Sequence, residues 1–431
     1  MPNEEVGVPE QRRPRILFVA CHLPFPAISG GRLRELELLK RLGRRFEVGL
    51  RVVSKTYDED LANAHHLEDI CHSVAVLPAS PDPNRRAAFQ VARHHSPDLK
   101  ARLAEDLNTG SWDLVHVEGF YLMQNLPRNP PVPIVLGEQN IEFLLWKQRA
   151  IGATSAEDRR RHLAQYLVTM QAEMEAWERA DHCIAVTDRD RELMLESHPH
   201  LLVDTVPDGC DHVATAGSAE TGGGDGRTLA FIANFGYEPN VDAARFLCRE
   251  LLPRIRAQIP NVRLMLVGNA PPAPLVKLAR RQGAIVTGRV EDITPYIQRA
   301  DVIVCPLRIG GGMKVKVLEA LRAGKPLVTT SVGAQGLDLN GAAVVADHPG
   351  DFATAAVTLL TDSAMRNELG LAALRYARRL PTWDRAAEIL GRCYTRLLGV
   401  DYDILPVLNV HRDSIPLPQT TSFPPLQEIQ N

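Results

Sequence analysis

The densest set of residues able to do chemistry lies in the segment Asp301–Thr330, DVIVCPLRIGGGMKVKVLEALRAGKPLVTT. An apolar strand ends at Leu307, glycines follow at 310–312, and a helix is expected from Met313. Successive glycines let the backbone turn sharply and bring its N–H groups close to a ligand. A helix N-terminus adds unpaired donors and a partial positive charge. Together these make a cradle for a phosphate group. Arg308, Lys314 and Lys316 supply further positive charge, and Glu319 lies two turns along, where a carboxylate can accept hydrogen bonds from sugar hydroxyls. The same residues also read as a tight strand-to-helix turn with solvated lysines and a Lys316–Glu319 surface pair.

The elements that must position this segment follow a repeating pattern. Short β-rich runs alternate with longer helical ones, as parallel sheets with crossover helices require. Arg15–Cys21 reads as a buried strand, His22–Gly31 as a Pro/Gly loop, and the next stretch as a helix with Leu33, Leu36, Leu39 and Leu42 on one face. Further strands are expected at Phe46–Ser54, Asp113–Glu118, Pro133–Glu138 and His182–Thr187, with a long charged helix over Ala156–Ala180. Residues 214–227, ATAGSAETGGGDGR, have almost nothing to bury and read as a linker. The alternation then restarts, with strands at Thr228–Asn234, Val262–Gly268, Ala284–Val290, Asp301–Leu307, Leu327–Ser331 and Ala342–Ala346. Helices are expected at Asp242–Ala257, Leu275–Gln282, Ile293–Arg299 and Met313–Ala323, and through most of 351–398. The fold class is therefore α/β, with two Rossmann-like, doubly wound domains facing across a cleft. The boundaries read as 14–212, a linker at 213–227, 228–380, a terminal helix at 381–400, and an extended or disordered tail at 401–431. Open α/β sheets bind ligands at the carboxyl ends of their strands, so two facing sheets suit a reaction of two substrates.

Composition narrows the classes. At roughly 150 residues per domain, 431 residues suggest two or three domains. The 49 basic and 52 acidic side chains give a net charge of -3, which argues against a general nucleic-acid binder. No apolar run approaches the ~18 residues of a membrane span, and no apolar signal core precedes Arg15, so the expected location is cytoplasmic. The helix over Arg32–Arg45 is basic and amphipathic, which leaves open either peripheral contact with an anionic membrane or a solvated face. The seven cysteines contain no CxxC pair and read as reduced thiols. Asp-x-Asp pairs at 58/60, 188/190 and 401/403 do not follow glycine-flanked buried strands. The histidine pairs at 65/66, 94/95 and 198/200 lack zinc-site spacing, so no metal is expected.

The C-terminal half resembles the nucleotide-sugar-binding domain of GT-B glycosyltransferases, specifically the retaining family 4 (glycosyl transferases group 1). The matching stretches are FIANFGYEPNVDAARFLCRELLPRI (231–255), VRLMLVGN (262–269), VTGRVEDITPYIQRADVIVCPLRIGGGMKVKVLEALRAGKPLVTT (286–330) and VGAQGL (332–337). In the N-terminal half, LPFPAISGGRLRELELLKRL, DLVHVEG and PIVLGEQNIE resemble the family's glycine loop and acceptor-side strands, and PDGCD (207–211) its stretch before the linker.

The resemblance implies a metal-independent, retaining transfer from a nucleotide diphosphate sugar, UDP- or GDP-linked, to an acceptor, with no cofactor. A small natural product is the preferred acceptor. It implies that the first domain binds the acceptor, that the second binds the donor, and that the terminal helix packs back on the first. Gly30, Gly31 and Arg32 would lie near the diphosphate, and Gly236 would line the cleft. Gly268, Arg289 and Val290 would flank the base. Gly311, Gly312, Met313 and Lys314, with Lys316 beside them, would meet the phosphates and sugar, and Glu319 would hold the ribose hydroxyls. Two departures stand out. Gly311 replaces the first glutamate of the family's Glu-x7-Glu motif. On the acceptor side, Glu118 stands two residues after His116 where relatives often have histidine, and Gln139-Asn140 stands where they often have His-Asn. Glu118, Glu138 and Asn140 are the catalytic candidates, the carboxylates either as bases or acceptor-positioning groups or as buried, hydrogen-bonded strand ends. A nucleotide-sugar epimerase or phosphorylase on the same fold, and a non-catalytic nucleotide-sugar-binding partner, are the competing readings. The acceptor and the oligomeric state stay open.

Overall fold

The run RILFVA forms β1 (Arg15–Ala20), and five of its six side chains are buried, as a strand covered on both faces requires. It starts a seven-stranded parallel sheet with β2 (Glu47–Ser54), β3 (Ser73–Pro78), β4 (Leu114–Glu118), β5 (Ile134–Glu138), β6 (His182–Ala185) and β7 (Val203–Thr205), in the order 3-2-1-4-5-6-7. A second parallel sheet holds β8 (Thr228–Ile232), β9 (Arg263–Val267), β10 (Ile285–Val286), β11 (Val302–Cys305), β12 (Leu327–Thr329) and β13 (Val344–Val345), in the order 10-9-8-11-12-13. In both sheets the order reverses beside the first strand, between β1 and β4 and between β8 and β11. The loops leaving those four strands therefore splay apart and leave a crevice at each switch point. The computed structural model describes residues 12–82, 84, 86–213 and 225–408.

Several boundaries differ from the sequence expectation, each for a local reason. β3 and β7 were not anticipated: β3 is half-buried along its whole length and β7 has only three residues, so neither carries a strong apolar signal. β10 keeps two residues of the expected Ala284–Val290, because Gly288 turns the chain at φ +71. The helix expected over Asp242–Ala257 begins at Glu238 and is interrupted by a π turn at Leu247–Leu251. The helix expected from Met313 begins at Val315, because Gly312 has φ +62 and Lys314 is extended. The expected linker falls mostly on 214–224 and the tail mostly on 409–431, outside the described residues.

The helix Trp383–Leu398 leaves the second sheet and adds Trp383, Ala386, Leu390 and Tyr394 to a core shared with β1 and β2. It packs against the helix Gly30–Leu42, most of whose central residues are buried. Arg34, Glu35, Leu36, Glu37, Leu38 and Leu39 are buried, Arg41 pairs with Asp384 at 2.6 Å, and Arg45 donates to the carbonyl of Tyr402. Its cations are therefore paired with protein acceptors, while Lys40 and Arg44 stay partly exposed. No described helix is long and apolar enough to cross a membrane.

Candidate functional site

On the second domain the site is made largely of backbone. The loop after β11 runs through Gly310–Gly312 into the helix Val315–Arg322. Among the described residues, no protein acceptor meets the amides of Gly311, Gly312 and Met313. Lys314 folds back: its Nζ donates to the carbonyls of Gly311 (2.8 Å) and Gly312 (2.6 Å), so the ammonium shapes the glycine loop from behind. Burial lowers its pKa to about 8. Lys316 Nζ donates to Asn240 Oδ1 and lies over the Phe231 ring, while Arg308 is held by Asp242. Lys316 and Glu319 sit on separate partners and form no surface pair.

The first domain meets this loop directly. The first turn of the helix Gly30–Leu42 lies against that of Val315–Arg322: a Cβ at Gly30 would lie 3.2 Å from Val315 Cγ2. The amides of Gly30 and Gly31 also meet no protein acceptor among the described residues. A Cβ at Gly31 would lie 2.6 Å from Gln139 Oε1, so a larger residue there would displace the Gln139 side chain. With its amide turned toward the loop, Asn140 donates to the Gly311 carbonyl at 2.7 Å. Gln148 accepts from the Gly310 amide (2.9 Å) and donates to the Gly310 carbonyl (3.1 Å). Arg32 is held by Asp60 at 3.3 Å, and Arg289 reaches across to Glu59 at 3.4 Å. Gly236 donates its amide to Asn234 Oδ1 and lines the interdomain cavity described below. Gly268 has φ +138, and a Cβ there would lie 2.0 Å from the carbonyl of Ala233, so only glycine lets the loops after β8 and β9 touch. Val290 packs at the edge of the second core.

The acceptor-side carboxylates are enclosed. Glu118 is 3% exposed, receives His116 Nε2 (3.0 Å) and Gln139 Nε2 (3.2 Å), and the other side of His116 meets Tyr394 at 2.9 Å. Burial pushes its pKa up, but His116, Arg34 and Gln139 outweigh this and hold it at about 2. Gln139 also donates to Glu35 (3.0 Å), which lies 3.2 Å from His22, itself 3.1 Å from the Cys21 thiol. Glu138 is likewise 3% exposed; Trp177 donates to it, and burial beside Glu173 raises its pKa well above the carboxylate range. Both therefore occupy the buried, hydrogen-bonded arrangement that was the other reading of these strand ends.

Two residues that the sequence reading missed stand closer to the cleft. His212 follows the PDGCD stretch, and its Nδ1 accepts from the Trp383 indole at 3.1 Å. An indole only donates, so the proton of a neutral ring lies on Nε2, 3.2 Å from Glu319 Oε1. The last helix is thereby linked to the carboxylate expected at the ribose. The other is Glu142, first residue of the helix Glu142–Ile151, which lines a cavity of about 1050 Å³ between the domains. Burial raises its pKa to about 7 against the pull of Arg149. Glu142, Trp146 and Arg149 recur at helical spacing (i, i+4, i+7), a signal that was available in the sequence.

The Asp-x-Asp pairs serve local roles: Asp60 receives Arg32 and Ser54, and Asp190 donates its amide to the cap residue Thr187. Among the described residues, donor atoms of metal-ligating types converge at His182, Asp204 and Cys393, where Arg396 already holds Asp204.

Residues 226–362 match the family described as Glycosyl transferases group 1. No curated protein shows a significant match to the chain. Among solved structures, HepE of Anabaena in complex with UDP and glucose superposes with a TM-score of 0.61 at 15% identity, over 88% of this chain and 99% of that one. WaaG, a glycosyltransferase involved in lipopolysaccharide biosynthesis, gives 0.61 at 14% identity, over 89% and 100%. The α,α-trehalose 6-phosphate synthase of Burkholderia multivorans gives 0.60 at 14% identity, over 90% and 98%. At these identities the likeness is one of fold, and the fold is GT-B.

Proposed function

We propose that the chain is a cytoplasmic glycosyltransferase, similar to family 4, that moves a sugar from a UDP- or GDP-sugar to an acceptor with retention and without a metal ion. The observation that carries this reading is the closeness of two helix N-termini, at Gly30 and Val315, whose flanking amides meet no protein acceptor among the described residues. Two positive helix ends and a set of free amides suit a diphosphate placed between them. The match of residues 226–362 to a glycosyltransferase family points the same way.

In this reading the amides of Gly311, Gly312 and Met313 take up the charge of the departing diphosphate, so that transition-state stabilisation comes from preset dipoles. Lys314 holds those amides in place, Lys316 adds positive charge beneath them, and Glu319 accepts from the ribose hydroxyls in the orientation set by His212. The acceptor enters the interdomain cavity from the first domain. Its hydroxyl attacks the face that the leaving group vacates, and Glu142 takes its proton. Contact between the domains limits the water that reaches the sugar.

Titration with UDP, GDP, dTDP and ADP, read by melting temperature and calorimetry, tests the donor site. UDP or GDP is expected to stabilise the chain, and no stabilisation by any of the four removes this reading. Product masses from donor alone and donor with acceptors then separate transfer from epimerisation, phosphorolysis and binding without turnover.

A further inference from the structure

We infer that the cavity between the domains takes an acceptor that combines a ring with an anionic group, phosphate or carboxylate, gripped by Arg93 and Arg149. The word acceptor rests on the transfer reading above; the chemistry of the cavity does not.

The cavity, about 1050 Å³, has room for a molecule of several rings. Phe89, Trp146 and Tyr237 give it aromatic walls from both domains, and Phe89 and Tyr237 are 46% and 40% exposed. Phe89 and Trp146 meet edge to face at 6.0 Å, and each carries an arginine over its ring: Arg93 at 5.7 Å and Arg149 at 4.6 Å. Ring faces of this kind hold a planar or pyranose body.

The charges of the lining are unevenly matched. Asp158 is paired with Arg161 (2.6 Å), Glu238 with Arg245 (3.5 Å) and Asp242 with Arg308 (2.5 Å), and Asp82 accepts the Asn84 amide (2.9 Å). Among the described residues, neither Arg93 nor Arg149 has a hydrogen-bond acceptor or a carboxylate at ion-pair distance. Each guanidinium is thus oriented by a ring beneath it and keeps its donor edge unused. Such a fork matches a phosphate or carboxylate in two-point contact. Glu142, the nearby carboxylate, is held partly protonated near neutral pH by burial, which weakens its competition for Arg149. His162 adds a buried Nδ1 that meets no partner among the described residues, on the same wall.

The test uses four probes on the full chain: phenyl phosphate, benzoate, phenol and inorganic phosphate, titrated calorimetrically with UDP saturating so that the helix mouth at Val315 is occupied. Phenyl phosphate or benzoate should bind at least about tenfold more tightly than phenol and inorganic phosphate. The tighter of the two identifies a phosphorylated or a carboxylated acceptor. In the double variant Arg93→Gln/Arg149→Gln that preference should vanish, with UDP affinity and melting temperature unchanged. Phenol binding as tightly as phenyl phosphate, or the double variant keeping full affinity, overturns the inference. If UDP itself does not bind, the donor reading fails on its own, and the same probes without UDP still decide the cavity.

Discussion

The two sides of the cleft are built from different materials. On the second domain the site is a loop of glycines and free amides, tied from behind by Lys314. On the first domain it is a wall of interlocked side chains, in which Tyr394, His116, Glu118, Gln139, Glu35 and His22 are joined in series. A backbone site fails by gaining atoms, since a methyl group at a left-handed glycine has no room. A side-chain site fails by losing them, since each buried charge then lacks its partner.

The strongest way to break this contrast is to remove a buried cation from the first wall. Arg34 is 3% exposed and pairs with Asp208 at 2.8 Å, so Arg34→Leu should cost about 3–5 kcal/mol, read by urea unfolding. A change within error would show that the buried Arg34–Asp208 pair does not hold this side of the cleft together. Next, Glu142→Gln should lower kcat/KM by about 100-fold, the usual scale for losing a proton acceptor. Because that role needs the ionised carboxylate, wild-type kcat/KM should rise with pH through about 7, and the variant should lack this limb.

On the opposite side, Gly312→Ala forces a side chain onto φ +62 with its Cβ 2.4 Å from the Gln139 carbonyl. Strain of about 1–3 kcal/mol should appear as weaker UDP binding by calorimetry, with a smaller loss of melting temperature. Equal losses in binding and stability would mean that the loop is scaffold and not a contact. The smallest effect belongs to Arg289→Ala, which removes an exposed pair with Glu59 and should change stability by at most about 1 kcal/mol.

The same contrast explains what could be read from the sequence. β1, β8 and β11 are continuous apolar runs, and the glycines at 310–312 advertise their turn, so the sheets and the amide loop are legible locally. β7 is too short to show a pattern, and Gly288 ends β10 through a backbone angle that composition does not reveal. The fate of Glu118 depends on Tyr394, 276 positions away (394 − 118), acting through His116, and that of Lys314 on carbonyls that exist only once the loop has folded. His212 was illegible because its partners, Trp383 and Glu319, lie on two separate helices. Glu142 was legible in principle, since the face it shares with Trp146 and Arg149 is a helical spacing.

The chain passes between its two halves twice, once after His212 and again before Trp383, and the start of the first passage lies beside the end of the second. Asp211 Oδ1 accepts the Trp383 amide at 2.7 Å, and a Cβ on Gly209 would fall 2.4 Å from the same nitrogen. A door hung on two adjacent pins swings about a single axis. The seam at Asp211 and Trp383 is such a pair of pins, and it reaches the ribose-side carboxylate directly, since His212 next to it is the partner of Glu319.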